Sequence, residues 1–164
     1  MNLIYEKATI EDLPRIVEIY NQIIPSRIAT ADLKPVTVDE RKKWFASFDK
    51  NHPIWVIKDK NEIIGWVALE HFYGRPAYNH TSEIAIYLDQ HFQKQGVGKN
   101  TLRFVINQLP NLNIETIVAY IFGHNHPSLN LFKSFGFTQW GLLPQVAELD
   151  NIKRDLVILG RRFK

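Results

Sequence analysis

Glu83 stands at the head of an otherwise apolar run, Ile84-Ala85-Ile86-Tyr87-Leu88, and the chain then reads Gln93-Lys94-Gln95-Gly96-Val97-Gly98. A carboxylate that opens an apolar strand can serve as a proton acceptor, because partial burial raises its pKa toward neutrality. The same group also suits a plain sheet carboxylate paired with an Arg or Lys. Glu70 and His71 are reserve bases. The glycine segment lies between an apolar strand and an amphipathic helix, where backbone N–H groups and the positive helix end can meet a phosphate. Lys94 and Lys99 add charge beside it. It fits neither the Walker pattern, which needs four residues between glycines and a Gly-Lys-Ser/Thr ending, nor the three-glycine dinucleotide fingerprint. An ordinary tight strand-to-helix turn is the other reading. Asn125 and Ser128 open a later helix, where Asn serves either as a cap or as a ligand contact.

The elements that must position these groups follow from periodicity. Leu3-Ile4-Tyr5 reads as a strand, and Thr9 with Asp12 as a capping box opening a helix with Leu13, Ile16, Val17, Tyr20 and Ile24 on one face. Pro25 ends that helix, and the irregular segment to Pro35 is a candidate pocket wall. Thr37 and Glu40 cap a second helix carrying Trp44, Phe45 and Phe48. Residues 54–57 and 63–69 form a hairpin around Asp59-Lys60-Asn61-Glu62. In the third strand Ile84, Ile86 and Leu88 share one face and Glu83, Ala85 and Tyr87 the other. Leu102, Val105, Ile106 and Leu109 then repeat at helical spacing until Pro110, and Thr116 to Ile121 returns as a strand. A helix near Ser128 to Phe135 closes at Gly136, and strands near Phe137 to Trp140 and Leu156 to Leu159 finish the chain. Three layers around a mixed sheet are expected.

Composition narrows the classes. The 164 residues are 45% hydrophobic and 12% aromatic, enough for one core, so a single domain spanning residues 1–164 is expected. There is no cysteine, which removes disulfides, thiolate metal sites and cysteine nucleophiles. The net charge of +3 is scattered apart from Arg161, Arg162 and Lys164, so no nucleic-acid partner is expected. No leader or membrane-length apolar run is visible, which points to a cytoplasmic protein without a membrane partner. His52, His71, His80 and His91 lack i, i+4 pairing, so no metal is expected. His124-Asn125-His126 spells a nuclease triplet without its context and is discounted.

Tyr87-Leu88, Gln93-x-x-Gly96-x-Gly98 and Asn125-x-x-Ser128-Leu129-x-Leu131-Phe132-x-x-Phe135-Gly136-Phe137 resemble, in order and spacing, the GNAT acetyltransferase superfamily. Ile19-Tyr20-Asn21, Arg75-Pro76-Ala77-Tyr78-x-x-Thr81-x-Glu83 and Leu143-Pro144 resemble its phosphinothricin and methionine sulfoximine N-acetyltransferase branch. The resemblance implies an α/β fold of three layers, with a mixed, largely antiparallel central sheet flanked by helices. It implies acetyl-CoA as co-substrate, with the backbone of Ile86, Tyr87 and Leu88 pairing with the pantetheine arm. Gln93, Lys94, Gln95, Gly96, Val97 and Gly98 would wrap the pyrophosphate, and Asn125 and Ser128 would lie beside the arm. Glu83 would deprotonate the amine of a small molecule, directly or through water. A homodimer is also implied.

Substrate residues are read less directly. Arg75 offers a fork for a carboxylate or phosphinate, with Tyr78 and Thr81 as polar wall, although a plain surface arginine is the alternative, and the resemblance adds Thr30 as a substrate-binding residue. The chain departs from the branch at Tyr73, at Ala31-Asp32-Leu33-Lys34 and over residues 145–153. The helix after Asn125 carries Leu131-Phe132 where many relatives supply a tyrosine, so no general acid is assigned. The expected acceptor is an amino-acid-like primary amine. A non-catalytic acyl-CoA sensor and a protein N-terminal acetyltransferase are the rival readings.

Overall fold

A computed structural model describes all 164 residues, Met1–Lys164. Seven strands form one sheet: β1 (Leu3–Lys7), β2 (Ile54–Asp59), β3 (Glu62–His71), β4 (Thr81–Leu88), β5 (Thr116–Phe122), β6 (Thr138–Leu149) and β7 (Ile152–Arg162). Their order is β1-β2-β3-β4-β5-β7-β6. Every neighbouring pair is antiparallel except β4 with β5, which run parallel. The helices are α1 (Leu13–Ile23), α2 (Val38–Ala46), α3 (Val97–Leu112) and α4 (His126–Ser134). This is the layered, largely antiparallel α/β architecture expected above.

The period-two pattern of β4 feeds both faces of the sheet. Ile84 and Ile86 join Leu102, Val105 and Leu109 of α3 and Leu129 and Phe132 of α4. Ala85 and Tyr87 turn the other way, to Leu13, Ile16, Val17 and Tyr20 of α1 and to Trp44 of α2. Local chemistry sets the ends of these elements. Thr37 Oγ1 accepts the Glu40 N–H at 3.1 Å to start α2. Lys60 and Asn61 (φ 50° and 67°) and Asp150 and Asn151 (φ 53° and 67°) make the two-residue turns of the β2–β3 and β6–β7 hairpins.

Two boundaries differ from expectation. α3 continues through Pro110 to Leu112 and ends at Asn113 with φ 57°; a proline in the last turn forfeits one hydrogen bond without stopping the helix. β6 and β7 are also much longer than the expected short strands. β6 is solvent-exposed along most of its length and its register slips at Gln139/Gly141 and Leu143/Ala147, so no alternation of apolar residues betrays it. No helix is long and apolar enough to cross a membrane.

Candidate active site

The site begins where two parallel strands part. β4 pairs with β5 only at Thr81↔Thr116, Ser82↔Ile117 and Glu83↔Val118, while on its other side it pairs with β3 as far as Gly65↔Leu88. The backbone of Ile84 to Leu88 therefore has one flank without a neighbouring strand. Gly65 lets β3 follow β4 to this end, since a Cβ there would sit 2.8 Å from the Tyr87 carbonyl oxygen. The gap widens into a cleft of about 630 Å³ lined by residues 84–88 on one side and Ala119, Tyr120, Ile121 and Phe122 on the other.

The open end of the gap meets the start of α3. Gly96 holds φ 82°, a conformation that costs glycine little, and no side chain caps this helix. The N–H groups that open a helix lack intrahelical partners, and here Gly96, Val97, Gly98 and Lys99 all line the cleft, with Gln93 and Lys94 beside them. An anion at this position would meet backbone donors, the helix dipole and two lysines. Gln95 is not part of the lining; its side chain turns back to donate to the His91 carbonyl at 3.1 Å.

At the closed end stands Glu83. It lies directly across from Glu70 in the β3–β4 register, and both line the cleft. Burial, and then the neighbouring Glu70, push its pKa up to about 7. Glu70 Oε1 accepts the Trp44 indole N–H at 2.8 Å. Val118 pairs with Glu83, so Tyr120, two residues on, lies on the same face just past the last rung. Burial, and then the adjacent Tyr73 hydroxyl and the Glu83 carboxyl, push the Tyr120 pKa up to about 12, so its hydroxyl stays protonated at neutral pH.

An aromatic and cationic wall completes the cleft. Trp66 stacks on Tyr87 with centroids 4.8 Å apart, and Trp44 meets Trp66 edge-on at 5.4 Å. The Arg41 guanidinium lies 4.7 Å from the Tyr20 ring centroid and 5.2 Å from that of Trp44, and its Nη2 reaches Asp32 at 3.2 Å. The irregular segment after α1 does form a wall, through Ile28 and Ala29. It is fastened where the Tyr87 hydroxyl donates to the Ala29 carbonyl (3.2 Å) and the His124 ring Nε2 to the Arg27 carbonyl (2.9 Å).

Glu83, Ile86, Tyr87, Leu88, Gln93, Lys94, Gly96, Val97, Gly98, Asn125 and Ser128 all come together around this one cleft. Asn125 Oδ1 also accepts the Ser128 N–H at 3.3 Å, so it caps α4 while bordering the cleft. Thr30, Arg75, Tyr78 and Thr81 are not in the lining. Thr30 is buried in a hydrogen bond with the Tyr20 hydroxyl, Tyr78 is exposed in the loop between β3 and β4 with Arg75, and the Thr81 carbonyl faces His52. The sequence reading missed Tyr20, Arg41, Trp44 and Tyr120. An i, i+3 pair of Arg and Trp on one helix face was the available signal for two of them.

Residues 14–137 match the Acetyltransferase (GNAT) family, and the chain belongs to that family. It is 47% identical over 153 residues, covering 93% of this chain and 94% of the other, to a Bacillus subtilis (strain 168) protein provisionally named a phosphinothricin acetyltransferase. It is 28% identical over 143 residues, 86% of this chain and 83% of that one, to an L-methionine sulfoximine/L-methionine sulfone acetyltransferase of Pseudomonas paraeruginosa. A phosphinothricin acetyltransferase from Sinorhizobium meliloti, solved in complex with acetyl-CoA, superposes with a TM-score of 0.92 at 26% identity over 99% of this chain and 89% of that chain.

Proposed function

We propose that this protein transfers the acetyl group of acetyl-CoA to the primary amine of a small amino-acid-like molecule, of the phosphinothricin or methionine sulfoximine type or a related metabolite. The observation that carries this reading is the unpaired flank of β4, which runs from an anion-ready helix start to a carboxylate with a pKa of about 7. The pantetheine arm fills the place of the missing strand against residues 86–88, and the pyrophosphate takes the start of α3. The bound thioester supplies an electrophilic acyl carbon.

Glu83 as carboxylate removes one proton from the substrate ammonium, and the freed lone pair attacks that carbon. Collapse of the tetrahedral adduct breaks the carbon–sulfur bond; the nitrogen gives up its second proton to solvent to leave the neutral amide, and the released CoA thiolate gains a proton from solvent. Tyr120, whose pKa is far above that of a thiol, serves as a hydrogen-bond donor to the departing sulfur and not as its acid. Arg41 is the arginine that lines the cleft, and we place the substrate carboxylate there in preference to the exposed Arg75.

Release of free thiol from acetyl-CoA, measured over amino acids, phosphinothricin, methionine sulfoximine, polyamines and peptides, tests this. Amino-acid-like amines are expected to give turnover, and Glu83→Gln to lower kcat by about 100-fold or more with acetyl-CoA affinity kept. Acetyl-CoA binding without thiol release from any amine would make the protein a sensor. Preference for peptides would make it a protein acetyltransferase.

A further inference from the structure

A second cluster of chemistry-bearing residues lies outside the cleft, where the β2–β3 register brings the residues just before β2 against the end of β3. Leu69 N–H donates to the Pro53 carbonyl at 2.9 Å, and this places His52 against His71, their rings stacked with centroids 3.9 Å apart. Asp49 closes the group. Its Oδ1 accepts the backbone N–H groups of His52 (2.8 Å) and Asn51 (3.1 Å), and its Oδ2 lies 2.8 Å from His71 Nε2.

His52 is the informative member. Its side chain is 3% exposed, and its Nε2 faces the Thr81 carbonyl oxygen at 3.3 Å. A carbonyl only accepts, so the ring proton sits on Nε2 and Nδ1 carries a bare lone pair. That Nδ1 is buried, has no hydrogen-bond partner and points at Asp49 Oδ1, 3.8 Å away. A buried acceptor with no donor, facing a carboxylate oxygen at the protein surface, leaves a place for a cation between them.

We propose that Asp49, His52 and His71 form a binding site for one late first-row divalent metal ion, of which zinc fits the donor set best. Two imidazoles and a carboxylate are the ligands such ions select, and three protein ligands leave a fourth position for water. The three ligand atoms lie within 4.8 Å of one another. A tetrahedral zinc about 2.0–2.2 Å from each ligand draws them closer. Asp49 and His71, with side chains 51% and 33% exposed, have the freedom to move in. On binding, His71 carries its ring proton on Nδ1, so that Nε2 can coordinate. The ion would tie the segment after α2 to the end of β3, beside Glu70.

The test is calorimetric titration of zinc chloride into the full chain after dialysis against a chelator. The expected result is one equivalent bound, a zinc-dependent rise in Tm, and visible d–d absorption of tetrahedral cobalt in the wild type. His71→Ala should weaken binding more than about 100-fold, beyond what loss of an outer partner costs, and abolish the Tm rise. His91→Ala, at an exposed histidine away from the cluster, should bind as the wild type does. Absence of stoichiometric binding, or equal binding by His71→Ala and wild type, overturns the proposal. If His71→Ala fails to fold, Asp49→Asn and His71→Gln give the same comparison.

Discussion

Glu70 and Glu83 face each other directly across β3 and β4, two carboxyl groups at the closed end of one cleft, with only Glu70 held by an indole N–H. Burial, and then the Glu70 charge opposite, favour the protonated form of Glu83.

The rate should therefore follow the ionisation of Glu83. A base works as its carboxylate, so kcat/KM is expected to rise with pH through about 7 and then level. Glu70→Gln keeps an acceptor for Trp44 and removes the second charge. Because burial is the first cause of the raised pKa and Glu70 the second, the rising limb should move to lower pH by about one unit at most. An unmoved limb in a pH–rate series would dissociate the two residues.

Stability should move opposite to activity. Below the usual 4.5 Glu83 is protonated folded or unfolded; between 4.5 and about 7 only the folded chain keeps its proton, so this protonation-linked stability is lost as pH rises. Glu83→Gln escapes that loss. Its Tm should exceed that of the wild type by an amount that grows from pH 4.5 to 7 and then stays constant. The gain is on the order of 1–2 kcal/mol, reduced because the carboxyl is only partly buried. Melting curves at pH 5 and pH 8 suffice, and equal differences at both would contradict the assignment.

Tyr120→Phe removes one hydroxyl and no ring packing. Loss of a hydrogen bond to the leaving sulfur should lower kcat about tenfold, the equivalent of about 1.4 kcal/mol. The shape of the pH profile between 6 and 9 should not change, because the Tyr120 pKa lies near 12. A wild-type rate that falls between pH 7 and 9, with the fall absent in Tyr120→Phe, would instead make Tyr120 a titrating acid.

Much of this was legible in the chain itself. The Gln93–Gly98 loop stands out in the chain because its glycines fall between an apolar strand and an amphipathic helix, and the alternation of Glu83 to Leu88 already separates the two faces of β4. Tyr120 was hidden: it lies among ordinary strand residues, and only the three-rung parallel register with β4 makes it a neighbour of Glu83. Asp49, His52 and His71 were hidden for a similar reason, since their meeting depends on a hairpin alignment and not on spacing along a helix. Arg75 lies in an open loop, and an arginine fork looks alike in sequence whether it lines a cleft or such a loop.

The short ladder between β4 and β5 also gives the cleft the shape of a wedge. Leu88 is five residues beyond the last rung at Glu83, roughly 17 Å of strand. If acetyl-CoA lies along this flank as proposed, it enters and leaves at the wide end of the wedge, and its acyl group meets Glu83 at the three-rung apex.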